Sequence, residues 1–186
     1  MDSPTHTGAR QLRPLYRSRL VRPERFGRVY ATAVPESRLL ARALPAVEWS
    51  DAYAVSFPGR PPGDPQEWAD AFFRSPPARV AALLGVREAL VRLVGIEPAD
   101  RRAFDTVAWN ADEVLVGIDQ AHLSFRASVL LESRRVVLTT VVQVHNARGR
   151  AYWAVVRWIH PAVIRSMLAR AHRTMGETVR AEPGMW

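Results

Sequence analysis

The stretch HLSFRASVLL, residues 122–131, decides the fold class. Large apolar side chains alternate along it with histidine, serine and arginine, so one face of an extended segment is apolar and the other polar. Such alternation is typical of an antiparallel strand with one buried face. Val114, Val116 and Ile118 alternate before it, and residues 136–144 are rich in valine and threonine after it. The centre of the chain therefore predicts an antiparallel sheet.

A hairpin and a last strand are predicted to follow. Residues 146–149, Asn-Ala-Arg-Gly, are typical of a turn, and tyrosine, tryptophan and valine alternate with other residues over 150–159. Pro161, directly after His160, then suits the first position of a helix. An apolar stripe at helical spacing runs from there to Gly176. The sequence predicts a strand over 150–159 and a long C-terminal helix over 160–176.

The first half of the chain predicts one strand and several helices. Large side chains alternate over residues 47–57, which indicates a strand, and a short helix is expected just before it, over 36–44. Residues 64–67, Asp-Pro-Gln-Glu, form a capping box with proline at the first helical position. A second helix is expected over 77–95. Helices laid on one face of an antiparallel sheet make an α+β fold.

The charge is concentrated at the N-terminus. Residues 1–42 contain nine arginines and three acids, a net charge of +6, which leaves +2 of the total +8 for the rest. Residues 1–34 lack an apolar period and are predicted to form a basic, irregular arm; residues 35–176 form the domain, and 177–186 a flexible tail. Every basic residue is arginine, which a GC-rich, actinomycete-type genome produces without selection for phosphate binding, so nucleic acid is not the expected partner.

Composition excludes several classes of protein. The chain has no cysteine, so thiolate nucleophiles, disulfides and cysteine-ligated metals are absent. It has no apolar run of membrane-spanning length and no signal-peptide pattern, which predicts a cytoplasmic protein with no membrane partner. It has neither a G-x-G-x-x-G motif nor histidines at metal-ligand spacing. We therefore expect no cofactor and no metal.

Ten residues are candidates for a functional site. The catalytic candidates are His122, His145, Arg126 and Tyr152, and the ligand-binding candidates are Asp51, Trp109, Asn146, Arg150, Trp153 and His160. Histidine exchanges protons near neutral pH, whereas arginine and tyrosine can stabilise a carbonyl or enolate oxygen. Aromatic residues are expected around the ligand: Tyr53, Trp109, Tyr152, Trp153 and Trp158.

Each polar candidate also has a structural interpretation. His122 and Arg126 could lie in solvent on the outer face of the sheet, and Asn146 could simply provide the turn conformation. His160 could cap the helix that follows it. The Asp51 carboxylate could pair with Arg126 or Arg150, either structurally or as part of a catalytic base.

The segments WSDAY (49–53), DQAHLSFR (119–126) and HNARGRAY (145–152) through His160 resemble a bacterial family, the domain of unknown function numbered 2867. The resemblance spans roughly residues 35–173. It implies a START/Bet v 1-like (SRPBCC) domain with the helix-grip fold, in which an antiparallel sheet wraps around a long C-terminal helix and two short helices follow the first strand. It also implies a cavity between helix and sheet. Members also occur fused behind dinucleotide-binding reductase domains, which this chain lacks.

Three hypotheses for function follow. The first is a cofactor-independent enzyme that binds an apolar, oxygenated small molecule and promotes cyclisation, dehydration or isomerisation, in polyketide-type secondary metabolism. The second is a non-catalytic carrier or sensor of such a molecule. The third is an interaction through the arginine arm with a polyanion or another protein. A homo-oligomer is compatible with all three.

Overall fold

Six strands form one antiparallel sheet in the computed structural model, which describes residues 26–73 and 104–181. The strands are β1 (Val29–Thr32), β2 (Trp49–Ser56), β3 (Thr106–Trp109), β4 (Glu113–Asp119), β5 (Leu123–Leu131) and β6 (Arg135–Val144). The helices are a 3-10 turn at Leu40–Arg42, α1 (Pro65–Phe73) and α2 (Ala147–Ala181). The strand order is β1-β2-β6-β5-β4-β3. The predicted α+β class is confirmed, and a long C-terminal helix on an antiparallel sheet is consistent with a helix-grip arrangement.

The main core lies between α2 and one face of the sheet, which we call the inner face. Alternate residues of four strands point to it, among them Val55, Val129 and Leu138, all at most 2% exposed. The second half of α2 supplies Ile164, Leu168 and other apolar residues to the same cluster. The alternation that predicted the central strands therefore correctly identified a face that is buried against a helix.

The local signals for α1 are also confirmed. The Asp64 side chain accepts the N–H of Glu67 at 2.9 Å, and the Glu67 carboxylate accepts the N–H of Asp64 at 3.2 Å. These reciprocal bonds satisfy donors that a helix start leaves free. Trp68 of α1 is 1% exposed and packs edge-on against Phe57 at 5.6 Å between ring centroids.

The opposite, outer face of the sheet is covered in part by the segment around the 3-10 turn. Leu40 and Leu44 pack there in one cluster with Leu115 of β4 and Val141 of β6. Beside them the carboxylate of Glu113, 1% exposed, accepts hydrogen bonds from two serine hydroxyls, those of Ser37 and Ser128. Ser37 therefore ties this segment to the sheet.

The predicted hairpin at 146–149 and strand over 150–159 are wrong. Those residues form the first half of α2, and Asn146 caps it by accepting the N–H of Gly149 at 3.0 Å. Asn146 does not make a turn between strands. The alternation of bulky residues imitates a strand, but burial follows a helical period, since Tyr152 and Val156 are the buried residues here.

The expected helix start at His160-Pro161 is also wrong, because Pro161 lies inside α2. A proline there removes one helical hydrogen bond, at a cost of about 3 kcal/mol, which packing on both sides of it must offset. The helix also passes through Gly176, the predicted end, and continues to Ala181.

The predicted irregular arm needs one correction as well. Residues 29–32 form β1, which pairs with β2 from Val29 opposite Val55 to Thr32 opposite Ala52. Four residues are too few to show an alternation of apolar and polar side chains, and this strand forms because it pairs with β2. Three predicted segments lie outside the described residues: the part of the arm before residue 26, the helix expected over 77–95 and the end of the tail at 182–186. None of the described helices is long and apolar enough to cross a membrane.

Candidate functional site

The stripe of α2 that faces the sheet changes character along the helix. After Pro161 it is apolar, with Ile164, Met167 and Ala171 in the main core. Before Pro161 the same 3-4 spacing continues upstream through Arg150, Trp153, Arg157 and His160, which lie beside the buried Tyr152 and Val156. Trp153 and His160 are partly buried and the two arginines are exposed. Core packing does not require such a row of polar and aromatic side chains next to the buried positions of a helix, so this part of α2 is a candidate site.

A pocket of about 230 Å³ lies at this position. It is lined by Glu48, Trp49, Val144, Arg150, Trp153, Ala154 and Arg157. We call it the indole pocket, because Trp49 of β2 and Trp153 of α2 meet edge to face within it at 4.7 Å between ring centroids. Strand ends and the first turns of α2 thus supply its walls.

Asp51 and His160 lie beside these indoles. His160 contacts the ring of Trp49 at 5.2 Å and that of Trp153 at 5.8 Å between centroids. Its Nε2 atom is 3.4 Å from Oδ1 of Asp51, and both side chains are almost buried, at 13% and 14% exposure. The carboxylate comes from the inner face of β2, two residues after Trp49. Arg126 and Arg150, the two possible partners considered for Asp51, do not pair with it in the described part of the chain.

The polar atoms of this cluster lack hydrogen-bond partners. Both carboxylate oxygens of Asp51, Nε2 of His160 and Nε1 of Trp153 are buried and unpaired among the described residues. A buried polar group without a partner costs about 1–3 kcal/mol. Groups that remain so in a native protein call for a partner from outside the chain, either an ordered water or the polar part of a ligand.

The family described as Protein of unknown function (DUF2867) matches residues 43–167, about two thirds of the chain. The chain belongs to this family. The matched DUF2867 region runs from before β2 into the second half of α2, so it contains the whole indole pocket together with Asp51 and His160. No curated protein and no solved structure matches the chain.

The family region also brings two of the predicted catalytic residues together. His122, 7% exposed, packs edge-on against the ring of Tyr152 at 5.5 Å between centroids. The contact depends on Gly149, because a Cβ atom there would lie 2.0 Å from the carbonyl oxygen of His122. The first turn of α2 therefore rests directly on the start of β5, and Tyr152 lies next in sequence to Trp153 of the pocket.

The other two catalytic candidates belong to a separate network on the outer face. Arg126 donates to the carboxylate of Asp119 at 2.8 Å, and His145 Nε2 is 2.9 Å from the hydroxyl of Ser124. The hydrogen bond from Arg126 holds the pKa of Asp119 below its usual value, and one from Ser124 adds to this. The structure does not bring these groups to the indole pocket, and their catalytic roles stay predictions.

Trp109 and Trp158 do not surround a cavity as expected. Their exposed fractions are 75% and 76%, Trp109 on β3 at the edge of the sheet and Trp158 on the solvent side of α2. Asn146 caps α2 and donates to the carbonyl of Ala121 at 2.9 Å. Of the ligand-binding candidates, Asp51, Arg150, Trp153 and His160 gather at one place.

The sequence analysis does not predict two residues that line the indole pocket. Trp49 is placed there in a strand and in the WSDAY segment but not among the site candidates, and Arg157 is not singled out. The available signal was the 3-4 spacing from Arg150 to His160, which becomes visible only when this stretch is read as a helix. Within residues 26–73 and 104–181, no group of three acidic or histidine side chains could hold a metal ion.

Proposed function

We propose that the protein is a cofactor-independent enzyme that binds a small, apolar, oxygenated molecule in the indole pocket and moves a proton on it. The observation that carries this proposal is the Asp51–His160 pair, almost buried beside two indole rings, with its polar atoms unpaired. A carboxylate next to an imidazole is a common arrangement for general acid–base catalysis.

The surroundings of the pair support a catalytic role over a structural one. A pair that only held β2 to α2 would be expected to complete a hydrogen bond, but 3.4 Å and the present geometry leave both partners unsatisfied. A ligand that places a polar group between the two side chains would form the missing hydrogen bonds and so gain several kcal/mol of binding free energy. Apolar walls beside the pair keep the local dielectric low and strengthen such contacts.

The chemistry that fits is proton transfer next to a carbonyl group. The pair removes a proton from a carbon atom and returns it to another atom of the same molecule, so isomerisation needs no co-reactant. In a dehydration the returned proton leaves with a hydroxyl group as water, and in an aldol cyclisation it goes to the carbonyl oxygen. The oxygen that gains charge lies within the reach of nearby donors such as Trp153 Nε1.

The size of the pocket limits the substrate. A volume of 230 Å³ is below the range of about 300–1,000 Å³ typical for drug-sized ligands, so a molecule of one or two rings is the best fit. A Bet v 1-like helix-grip fold, which the strand order and α2 support, is compatible with a pocket for such a molecule. We keep polyketide-type secondary metabolism in the cytoplasm as the proposed setting.

Deuterium exchange tests the proton transfer without knowledge of the substrate. Purified protein is incubated in D₂O with 4-phenyl-2-butanone or phenylpyruvate, and deuterium uptake at carbon is followed by NMR. We expect exchange above the buffer rate, and Asp51→Asn and His160→Gln should each lower the protein-dependent rate by about 100-fold or more. Asp112→Asn, which changes an exposed carboxylate, should leave it unchanged.

Two results would contradict the proposal. If both variants are folded and exchange at the wild-type rate, the pair is not the acid–base group. If a ketone binds, as shown by indole NMR shifts, but no exchange accompanies binding, the protein is a carrier of the kind that the second hypothesis describes.

A further inference from the structure

Two arginines line the indole pocket on the same side of α2. Arg150 and Arg157 are seven residues apart, two helical turns, so they project from one face with a rise of about 10.5 Å between them. Neither forms an ion pair within the described part of the chain, and Arg157 only stacks on Trp158 at 5.4 Å from its ring centroid. Two guanidinium groups at one pocket are thus available to a ligand.

The remaining polar groups of the pocket determine what charge the ligand should carry. Glu48 is the one acidic residue in the lining itself, and the carboxylate of Asp51 lies beside the pocket next to His160. Trp153 contributes a buried Nε1–H donor that has no acceptor. Arginine and indole nitrogens can only donate hydrogen bonds, so the pocket has a surplus of donors.

We infer that the indole pocket binds a small carboxylate, with its anionic group held by Arg150 and Arg157 and its apolar body against the indole rings. Planar guanidinium groups match a carboxylate in a two-bond geometry, and such charge-assisted bonds are stronger than neutral ones. The two guanidinium groups can balance Glu48 and one ligand carboxylate, whereas the second negative charge of a phosphate dianion would be left uncompensated near Asp51. The inference names the substrate class of the proposed enzyme and rests on that proposal only for the reaction that follows binding.

Binding of matched probes tests the inference. The indole N–H signals of ¹⁵N-labelled protein are followed by NMR during titration with benzoate, benzamide and phenyl phosphate, and Trp153→Phe assigns the pocket signal. We expect benzoate to bind about tenfold or more tightly than its neutral amide. Phenyl phosphate should bind no more tightly than benzoate. Added salt should weaken benzoate binding and leave benzamide binding unchanged.

Arginine variants separate the pocket from general surface charge. The Arg150→Gln/Arg157→Gln double variant should lose the preference for benzoate over benzamide, whereas Arg148→Gln should keep it. Arg148 is a matched control because it is exposed on the first turn of α2 and does not line the pocket. All three positions are exposed, so the variants should fold, which circular dichroism verifies.

Several outcomes would overturn the inference. Equal affinity for benzoate and benzamide, a preference that survives in the double variant, or no shift of the pocket signal with any probe would each do so. Tighter binding of phenyl phosphate would show that the charge argument is wrong. Benzoate has no exchangeable proton next to a carbonyl group, so this test can succeed where the deuterium exchange fails, and the two proposals are judged separately.

Discussion

Replacement of Gly149 by alanine should destabilise the protein, although alanine is the better helix former. Gly149 lies in the first turn of α2, where an added Cβ would be 2.0 Å from the carbonyl oxygen of His122 and 2.9 Å from a methyl group of Val144. The oxygen belongs to the backbone of the neighbouring chain segment and cannot turn aside. Either α2 must move away from β5 or the hydrogen bonds near residue 122 must break.

The expected magnitude follows from two opposing terms. The change from glycine to alanine in a helix interior contributes about 1 kcal/mol of stability. Overpacking in a tight site costs about 1–3 kcal/mol, and contact with backbone places Gly149 at the upper end. The net loss is then about 2 kcal/mol, which for a chain of this size lowers Tm by about 4–8 °C.

The same helix offers a matched control in Gly176. No atom lies within 4 Å of the position that its Cβ would occupy, so Gly176→Ala gains the helix term alone. It should raise the free energy of unfolding by about 1 kcal/mol and Tm by about 2–4 °C. One substitution in one helix should thus have opposite signs at two positions.

Urea denaturation and calorimetry of both variants decide the question. A Gly149→Ala variant as stable as Gly176→Ala would refute the close approach of α2 to β5. It would also remove the reason for placing Tyr152 against His122. An accompanying loss of benzoate binding in Gly149→Ala alone would link this contact to the geometry of the indole pocket.

Three further predictions concern stability. Asp64→Ala removes the capping hydrogen bond from the N–H of Glu67, and it should lower the free energy of unfolding measured by urea denaturation by about 1 kcal/mol. An unchanged free energy of unfolding would mean that the capping box does not stabilise α1. Glu113→Ala leaves the hydroxyls of the buried Ser128 and the partly buried Ser37 without their acceptor and opens a cavity, so we expect a loss of about 3 kcal/mol. A loss below about 1 kcal/mol would contradict the burial of this carboxylate. Burial, and next the charge of Arg173, hold the pKa of His172 below its usual 6.5, so protonation favours the unfolded chain and stability falls as the pH drops below about 6.5. His172→Gln should therefore weaken the dependence of Tm on pH between 7.5 and 5.5. If the slope of Tm against pH is unaltered, other titrating groups cause the pH dependence.

Much of the fold could be predicted because its signals are local. The alternation in β2, β4, β5 and β6 and the capping box of α1 are each contained in fewer than a dozen residues. In contrast, β1 has four residues and depends on pairing with β2, so its own sequence contains no pattern that predicts a strand.

The main error arose where two periods coexist in the same residues. Over 150–159 bulky side chains alternate as in a strand, while Arg150, Trp153 and Arg157 also follow helical spacing. The buried positions of this half of α2 are Gly149, Tyr152 and Val156, which are too few to form the long apolar stripe that usually reveals a helix. The composition of the pocket could not be predicted before this stretch was known to be helical.

Pro161 divides α2 into two halves that contact different parts of the molecule. Downstream of it, Ile164, Leu168 and Ala171 belong to the main core, whereas upstream Arg150, Trp153 and Arg157 line the pocket. Substitutions of the exposed Arg150 and Arg157 should therefore change what the protein can bind while removing little of the burial that keeps it folded. Natural variation or laboratory selection should therefore be able to alter ligand preference through a few positions upstream of Pro161. The core residues downstream of Pro161 would keep the fold stable while this happens.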